Sequence, residues 1–211
     1  MMTLRWTLTL LALVGVVAMA TTWAQTPPAP VAEALRAQQA GDSVRAVTLW
    51  EQALADDPES TALRTNLARA LIETGDLPRA RQELATVLEA EPERASAWNL
   101  LGRIERLEDN LEAALEAFRH AVDSAPDQAW YLNNLGYTLL DLDRPQEALA
   151  PLGRAVELDA GQVVMWNNLG VARMRVGDFD GAREAFETAL SINPDHSRAR
   201  QNLESLQGDR D

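Results

Sequence analysis

Few side chains in this chain have the type and spacing that bond-breaking chemistry needs. Cysteine is absent, which removes disulfides, thiolate metal sites and cysteine nucleophiles. The two histidines, His120 and His196, lie far apart, and neither has a serine and an acid placed to complete a cluster. No glycine-rich phosphate loop is present. Asp141-x-Asp143 and Asp178-x-Asp180-Gly181 look like pieces of a calcium loop. Neither has the glycine and terminal glutamate of an EF-hand at the right offsets, so these acids read as ordinary helix caps. What does recur is binding chemistry. Asn99, Asn133 and Asn167 stand at intervals of 34, and so do Arg69 and Arg103. An amide can donate to and accept from a peptide backbone. A guanidinium can take a carboxylate through two parallel N–H bonds.

Composition sets the frame for those groups. The chain has 211 residues, 46% of them hydrophobic and 24% charged, which is ordinary for a globular protein. Its 32 acids outnumber its 19 bases and give a net charge of −13. Such a surface repels nucleic acid and anionic lipid. Every base is arginine. The expectation is a non-enzymatic protein without cofactor or metal and with no nucleic-acid partner.

The elements that position these side chains repeat every 34 residues. Pro58, Pro92, Pro126 and Pro194 lie at multiples of that interval, with Ala160 in the remaining place. Ala46, Ala80, Ala114, Ala148 and Ala182 share a second column. Trp50, Leu84, Phe118, Leu152 and Phe186 share a third, and Leu67, Leu101, Leu135 and Leu169 a fourth. Leu67 is followed by Ala68, the others by Gly102, Gly136 and Gly170. Within each unit the apolar residues recur at helical spacing in two stretches, which predicts two amphipathic helices packed closely at the small residues. Gly75-Asp76, Asp109-Asn110, Asp143-Arg144-Pro145 and Gly177-Asp178 mark the turn between them. Pro78 and Pro145 suit the first turn of a second helix, and the column proline stops it.

With these columns the sequence resembles the tetratricopeptide repeat family. Its pattern is carried whole by Trp166, Leu169, Gly170, Ala182, Phe186, Ala189 and Pro194. Trp98, Leu101, Gly102, Ala114, Phe118, Ala121 and Pro126 carry it again. The resemblance implies an all-α, right-handed solenoid of five helix-turn-helix repeats: 27–60, 61–94, 95–128, 129–162 and 163–196. A capping helix and tail, 197–211, follow, with Asp195 or Ser197 capping that helix. Pro30 and Glu33 make the first unit's first helix degenerate. Glu105 and Arg173 stand where the family has tyrosine, and Leu132 where it has tryptophan.

The first 24 residues are a different object. Arg5 is their one charge, an apolar run follows from Trp6 to Ala20, and small residues close it. This reads as an export signal cleaved after Ala24, or after Ala20, with an uncleaved anchor as the alternative. Residues 25–30 then form an extended linker. The expected location is the bacterial periplasm or outside the cell, or the inner membrane, facing the periplasm, if the segment stays; membrane contact is expected through that segment only.

The resemblance also implies that the first helix of each unit lines a concave groove. Numbering places from the first residue of each unit, places 2, 5, 9 and 12 form one stripe opposite the core columns. This predicts a groove of Arg69, Asn99, Arg103, Arg106, Trp130, Asn133, Tyr137, Asn167 and Met174, with amides in register, arginines toward the second and third units and apolar residues beyond. The place 6 residues Asn66, Asn134 and Asn168 read as ties between helices. The expected partner is a protein or peptide segment bearing carboxylates, held during assembly of an envelope complex such as a pilus or a c-type cytochrome. The alternative is self-assembly into a homo-oligomer.

Overall fold

The computed structural model describes residues 29–208, with side chains described to Leu206, and these residues are all helix and turn. The segment 1–24, its cleavage site and the tail beyond Gly208 lie outside the described residues. Five helix pairs and a final helix follow in order: α1 (Ala29–Gln39) and α2 (Ser43–Asp56), α3 (Thr61–Thr74) and α4 (Leu77–Ala90), α5 (Ala95–Leu107) and α6 (Leu111–Ser124), α7 (Ala129–Asp141) and α8 (Pro145–Leu158), α9 (Val163–Arg175) and α10 (Phe179–Ile192), then α11 (Ser197–Gly208). Of the expected linker 25–30, residues 25–28 lie outside the described residues. Ala29 and Pro30 already belong to α1, since proline in a first turn loses no helical hydrogen bond.

Each turn uses one device. The residue at place 15 is left-handed in every unit: Gly41, Gly75, Asp109, Asp143 and Gly177 have φ of 74°, 83°, 62°, 55° and 87°. Glycine takes that conformation without cost, and aspartate is among the residues that tolerate it. At the next position Asp42, Asp76 and Asp178 cap the second helix, accepting from the backbone N–H groups of Arg45, Arg79 and Gly181 at 3.2, 3.3 and 3.0 Å.

A second device closes the other turn. The side chain at place 4 donates to the carbonyl six residues earlier. Trp98 reaches Pro92 at 2.7 Å and Trp166 reaches Ala160 at 2.8 Å. Arg64 does the same to Pro58 at 2.8 Å, and Arg200 to Pro194. Arginine thus substitutes for the column tryptophan through its N–H alone. Leu132 at this place has no such donor.

The core lies between paired helices, where place 8 faces place 24. A methyl group on Gly102, Gly136 or Gly170 would come within 2.7 Å of Phe118, 2.5 Å of Leu152 or 2.4 Å of Phe186. The pairs holding these glycines pack more extensively than those holding Ala34 and Ala68. Pro151 sits inside α8, and the buried Ala148 before it and Leu152 and Ala155 after it anchor the helix against the core.

The two residues unexplained by the column pattern are ties. Glu105 on α5 accepts from Arg81 on α4 and from Asn110 at 3.1 Å; Arg81 also reaches Glu108 at 2.6 Å. Hydrogen bonding to Arg81 holds the Glu105 carboxyl below the usual range despite its partial burial. Arg173 donates to the Gly181 carbonyl at 2.9 Å and so pins α9 to α10. The final helix is capped by His196, whose Nδ1 accepts from the Ala199 N–H at 3.2 Å, in place of the expected Asp195 or Ser197. Through Ala199 and Leu206 that helix covers the last apolar face.

Candidate functional site

First helices of successive units touch one another directly, α3 with α5, α7 with α9 and α9 with α11, while second helices hardly do. A stack that closes on one side is concave there, so the predicted stripe lies on the inner face.

Three amide pairs cross that face. Asn134 donates to the Asn99 side-chain carbonyl at 2.9 Å, Asn168 to Asn133 at 2.9 Å and Asn202 to Asn167 at 3.0 Å. Place 6 of one unit therefore bonds place 5 of the unit before it. This corrects the division of roles expected from the sequence. Asn133 and Asn167 are 4% and 6% exposed, and their carbonyls are taken by a neighbouring helix. The place 5 carbonyls join the solenoid, while Asn99 stays half-exposed and its side-chain N–H group has no acceptor. Asn66 makes no such pair. The place it would reach in the first unit is Val31, which offers no acceptor, and Asn66 remains half-exposed.

Several apolar residues of the stripe also turn inward. Ile72 and Leu140 are buried, and Met174 packs against the cluster of Phe186 and Leu206. Trp130 is 47% exposed, as is Val164 at 43% in the same place of the next unit.

The arginines are where the stripe keeps free polar capacity. Most described arginines have a carboxylate oxygen within 4.0 Å; Arg69 and Arg103 have none. The Nε of Arg69 is buried without an acceptor. Burial, then the charge of Arg69, lowers the proton affinity of the Arg103 guanidinium; Glu73 opposes this and Arg106 adds to it. Arg106 lies 5.0 Å over the Tyr137 ring, a cation–π contact, and 3.9 Å from Asp141. The stripe is thus less free of acids than the spacing suggested, because Glu73 and Asp141 at place 13 border it. Burial raises the Asp141 carboxyl above its usual range against the pull of Arg106 and Arg175.

Two concavities open on this face. One of about 310 Å³ lies between α1 and α3, lined by Leu35, Gln38, Gln39, Asn66 and Arg69. It is rich in donors and contains no acid. The other, about 190 Å³, lies between α7, α9 and α11; its lining is mostly polar, with Asp141, Asn167, Asn168, Arg175 and Arg198 beside Tyr137, Leu140 and Val171. Sequence reasoning missed Asn66 as a free amide and the whole contribution of α11. Continuing the 34-residue register past Pro194 would have placed Arg198, Gln201 and Asn202 at places 2, 5 and 6. No group of histidines and acids that could hold a metal is present among the described residues.

The profile of the tetratricopeptide repeat matches residues 24–104, 93–160 and 164–196. A search of curated protein sequences finds no match. Among solved structures the chain is similar to YrrB, a TPR protein with an unusual peptide-binding site, at 24% identity; 76% of this chain and 83% of that one are covered, with a TM-score of 0.67. It is similar to PilF of Pseudomonas aeruginosa at 18% identity, covering 84% and 87%, with a TM-score of 0.73. The first TPR domain of Spaghetti (RPAP3), bound to the HSP90 peptide SRMEEVD, covers 55% of this chain and 91% of its own at 17% identity and a TM-score of 0.53. With three matches spanning most of its length and paired helices repeating at the matching interval, the chain belongs to the tetratricopeptide repeat family, whose fold serves as a scaffold for protein–protein contacts.

Proposed function

We propose that the chain is an exported, non-catalytic scaffold whose concave face holds a carboxylate-bearing segment of a partner protein during assembly of an envelope complex. One observation carries the binding part. In a chain with 32 acids, Arg69 and Arg103 lie side by side on adjacent first helices with no carboxylate within ion-pair distance. Two like charges half-withdrawn from water are an unfavourable arrangement in the free protein, and an incoming anion relieves it. A relative of the same fold takes a peptide, SRMEEVD, that is itself acidic. The place in the cell rests on the composition of Met1–Ala24.

Affinity capture from the native envelope with the wild-type chain and with Arg69, Arg103 and Arg106 all replaced by alanine tests the binding part. Partners held by the wild type and lost by the folded triple variant are expected. Equal capture by both would end the groove assignment. Mass measurement of the native protein tests export: a mature start after Ala24 is expected, and an intact Met1 would favour the anchored form.

A further inference from the structure

A crevice of about 240 Å³ lies at the edge of the stack, where α2 ends and α1 and α3 begin. Val31, Ala53 and Leu63 give it an apolar surface, and Asp56, Asp57 and Ser60 complete its lining. Among the described residues neither the Asp56 nor the Asp57 carboxylate has a hydrogen bond or an ion pair. The other units show how such an edge is normally satisfied. Asp57 stands at place 31 and Ser60 at place 34. In the second unit these places hold Glu91 and Arg94. There the guanidinium donates to the Glu91 carboxylate at 2.8 Å and to the Thr61 hydroxyl at 3.1 Å. In the fourth unit they hold Asp159 and Gln162, and the amide donates to the carboxylate at 2.9 Å. An acid at place 31 is thus met by a long donor three residues on. The first unit lacks that donor. Ser60 is short and caps α3 instead, accepting from the Leu63 N–H at 3.4 Å.

We infer that this crevice takes the side chain of an arginine presented by a partner protein, its methylene stem against Val31 and Leu63 and its guanidinium on Asp57 with Asp56 beside it. The site shares no residue with the arginines of the concave face and selects the opposite charge. Charge and shape choose the occupant together. A chain with 32 acids and 19 bases attracts a cationic segment from a distance. A long basic side chain lays its stem on apolar surface while its charged head stays at the water boundary, which is what a crevice with apolar walls and open carboxylates can satisfy. A purely apolar side chain would draw two carboxylates out of water and give them no donor. A bare cation would leave Val31, Ala53 and Leu63 without contact. The second unit singles out arginine. Arg94 fills the corresponding place from within the chain, with its Nε out of solvent. Its planar fork of donors can also serve two acceptors at once, which the point charge of a lysine does less well.

The test titrates the full chain, labelled with nitrogen-15, with N-acetyl-arginine amide and with the citrulline analogue, which keeps the length and shape of the side chain and lacks its charge. Amide shifts report where each probe sits. The arginine probe is expected to move the signals of Val31, Asp57, Ser60 and Leu63 and to bind about tenfold more tightly than the citrulline probe. Ser60→Arg installs the arrangement of the second unit. Its new guanidinium should occupy the crevice from within and weaken the arginine probe about tenfold or more without lowering the melting curve. Asp56→Asn combined with Asp57→Asn should erase the preference for arginine over citrulline, and this double variant decides the matter if Ser60→Arg does not fold. Equal binding of the two probes, no binding of either, shifts confined to the concave face, or an affinity unchanged in the folded variants would each overturn the inference. None of these results bears on Arg69 and Arg103, whose role is tested by their own replacement.

Discussion

Asn168 donates its side-chain N–H to the carbonyl of Asn133, 2.9 Å away on the preceding first helix, and both residues are out of solvent at 6% and 4% exposure. Replacing Asn168 by alanine leaves a buried carbonyl without a donor, which costs about 1–3 kcal/mol. Replacing both residues by leucine removes the donor and the acceptor together and should cost less than Asn168→Ala alone. Urea melts of the two singles and the double measure this, and additive losses would show that the pair does not act as a unit.

That pair also marks where the sequence stops being legible. The 34-residue columns were enough to place five helix pairs, their turns and the glycines at place 8, because each column reports packing inside a unit. Asn133 and Asn168 sit in different columns. A helical wheel assigns each to a face of its own helix, but says nothing of the offset between neighbouring first helices. That offset is one place, so place 5 meets place 6, and the amides expected in the groove became ties. Arg69 and Arg103 share one column and were legible. Asp141, the acid near Arg106, sits one place beyond the predicted stripe on the next helix, and was not.

Gly170 and Gly136 should respond differently to alanine. Alanine gains about 1 kcal/mol of helix propensity at either position. At Gly170 its methyl group meets the Phe186 ring, which is buried and cannot bend aside. Overpacking of this kind costs about 1–3 kcal/mol, so Gly170→Ala should lower stability. Gly136 faces Leu152, which is also buried, but the second unit already pairs Ala68 with Leu84, so an alanine–leucine packing is compatible with this fold. Gly136→Ala should therefore cost less than Gly170→Ala. Thermal melts decide the order.

Asp109 occupies the left-handed turn position at φ 62° that Gly41, Gly75 and Gly177 fill without strain. Asp109→Gly should stabilise by about 0.5–1 kcal/mol, relief of the turn outweighing the added freedom of the unfolded chain. A lower melting temperature for this variant would mean that the aspartate side chain holds the turn.

Glu105 and Asp141 should give pH dependences of opposite sign. Arg81 depresses the Glu105 carboxyl in the folded protein, so its contribution is present above the unfolded glutamate range and is lost as pH falls through the folded value. Glu105→Gln should therefore destabilise at neutral pH, and the difference from wild type should shrink below about pH 4. Burial raises Asp141, so its charged form weighs against folding at neutral pH and that penalty disappears on protonation. Asp141→Asn should stabilise at neutral pH and match the wild type in acid. Melting temperatures taken from neutral to acid pH for both variants check the two signs together.

Arg103 is where stability and function should part. It is half-buried beside Arg69 and has no carboxylate within 4.0 Å. A guanidinium in that setting remains charged at any ordinary pH, so the fold carries an uncompensated cation. Methionine keeps the length of the side chain and removes the charge. Arg103→Met should raise stability by about 0.5–1 kcal/mol, in the range found when strained functional positions are made apolar. The same change should weaken an acidic ligand by about tenfold or more, since a charge-assisted contact is worth about 1.5–3 kcal/mol. The loss should shrink at high salt, where screening has already reduced the wild-type attraction. Arg154, an exposed arginine paired with Asp127 and Glu157, serves as the control, and its replacement by methionine should leave affinity unchanged. If Arg103→Met destabilises the fold and spares binding, Arg103 is a structural residue and the site lies elsewhere.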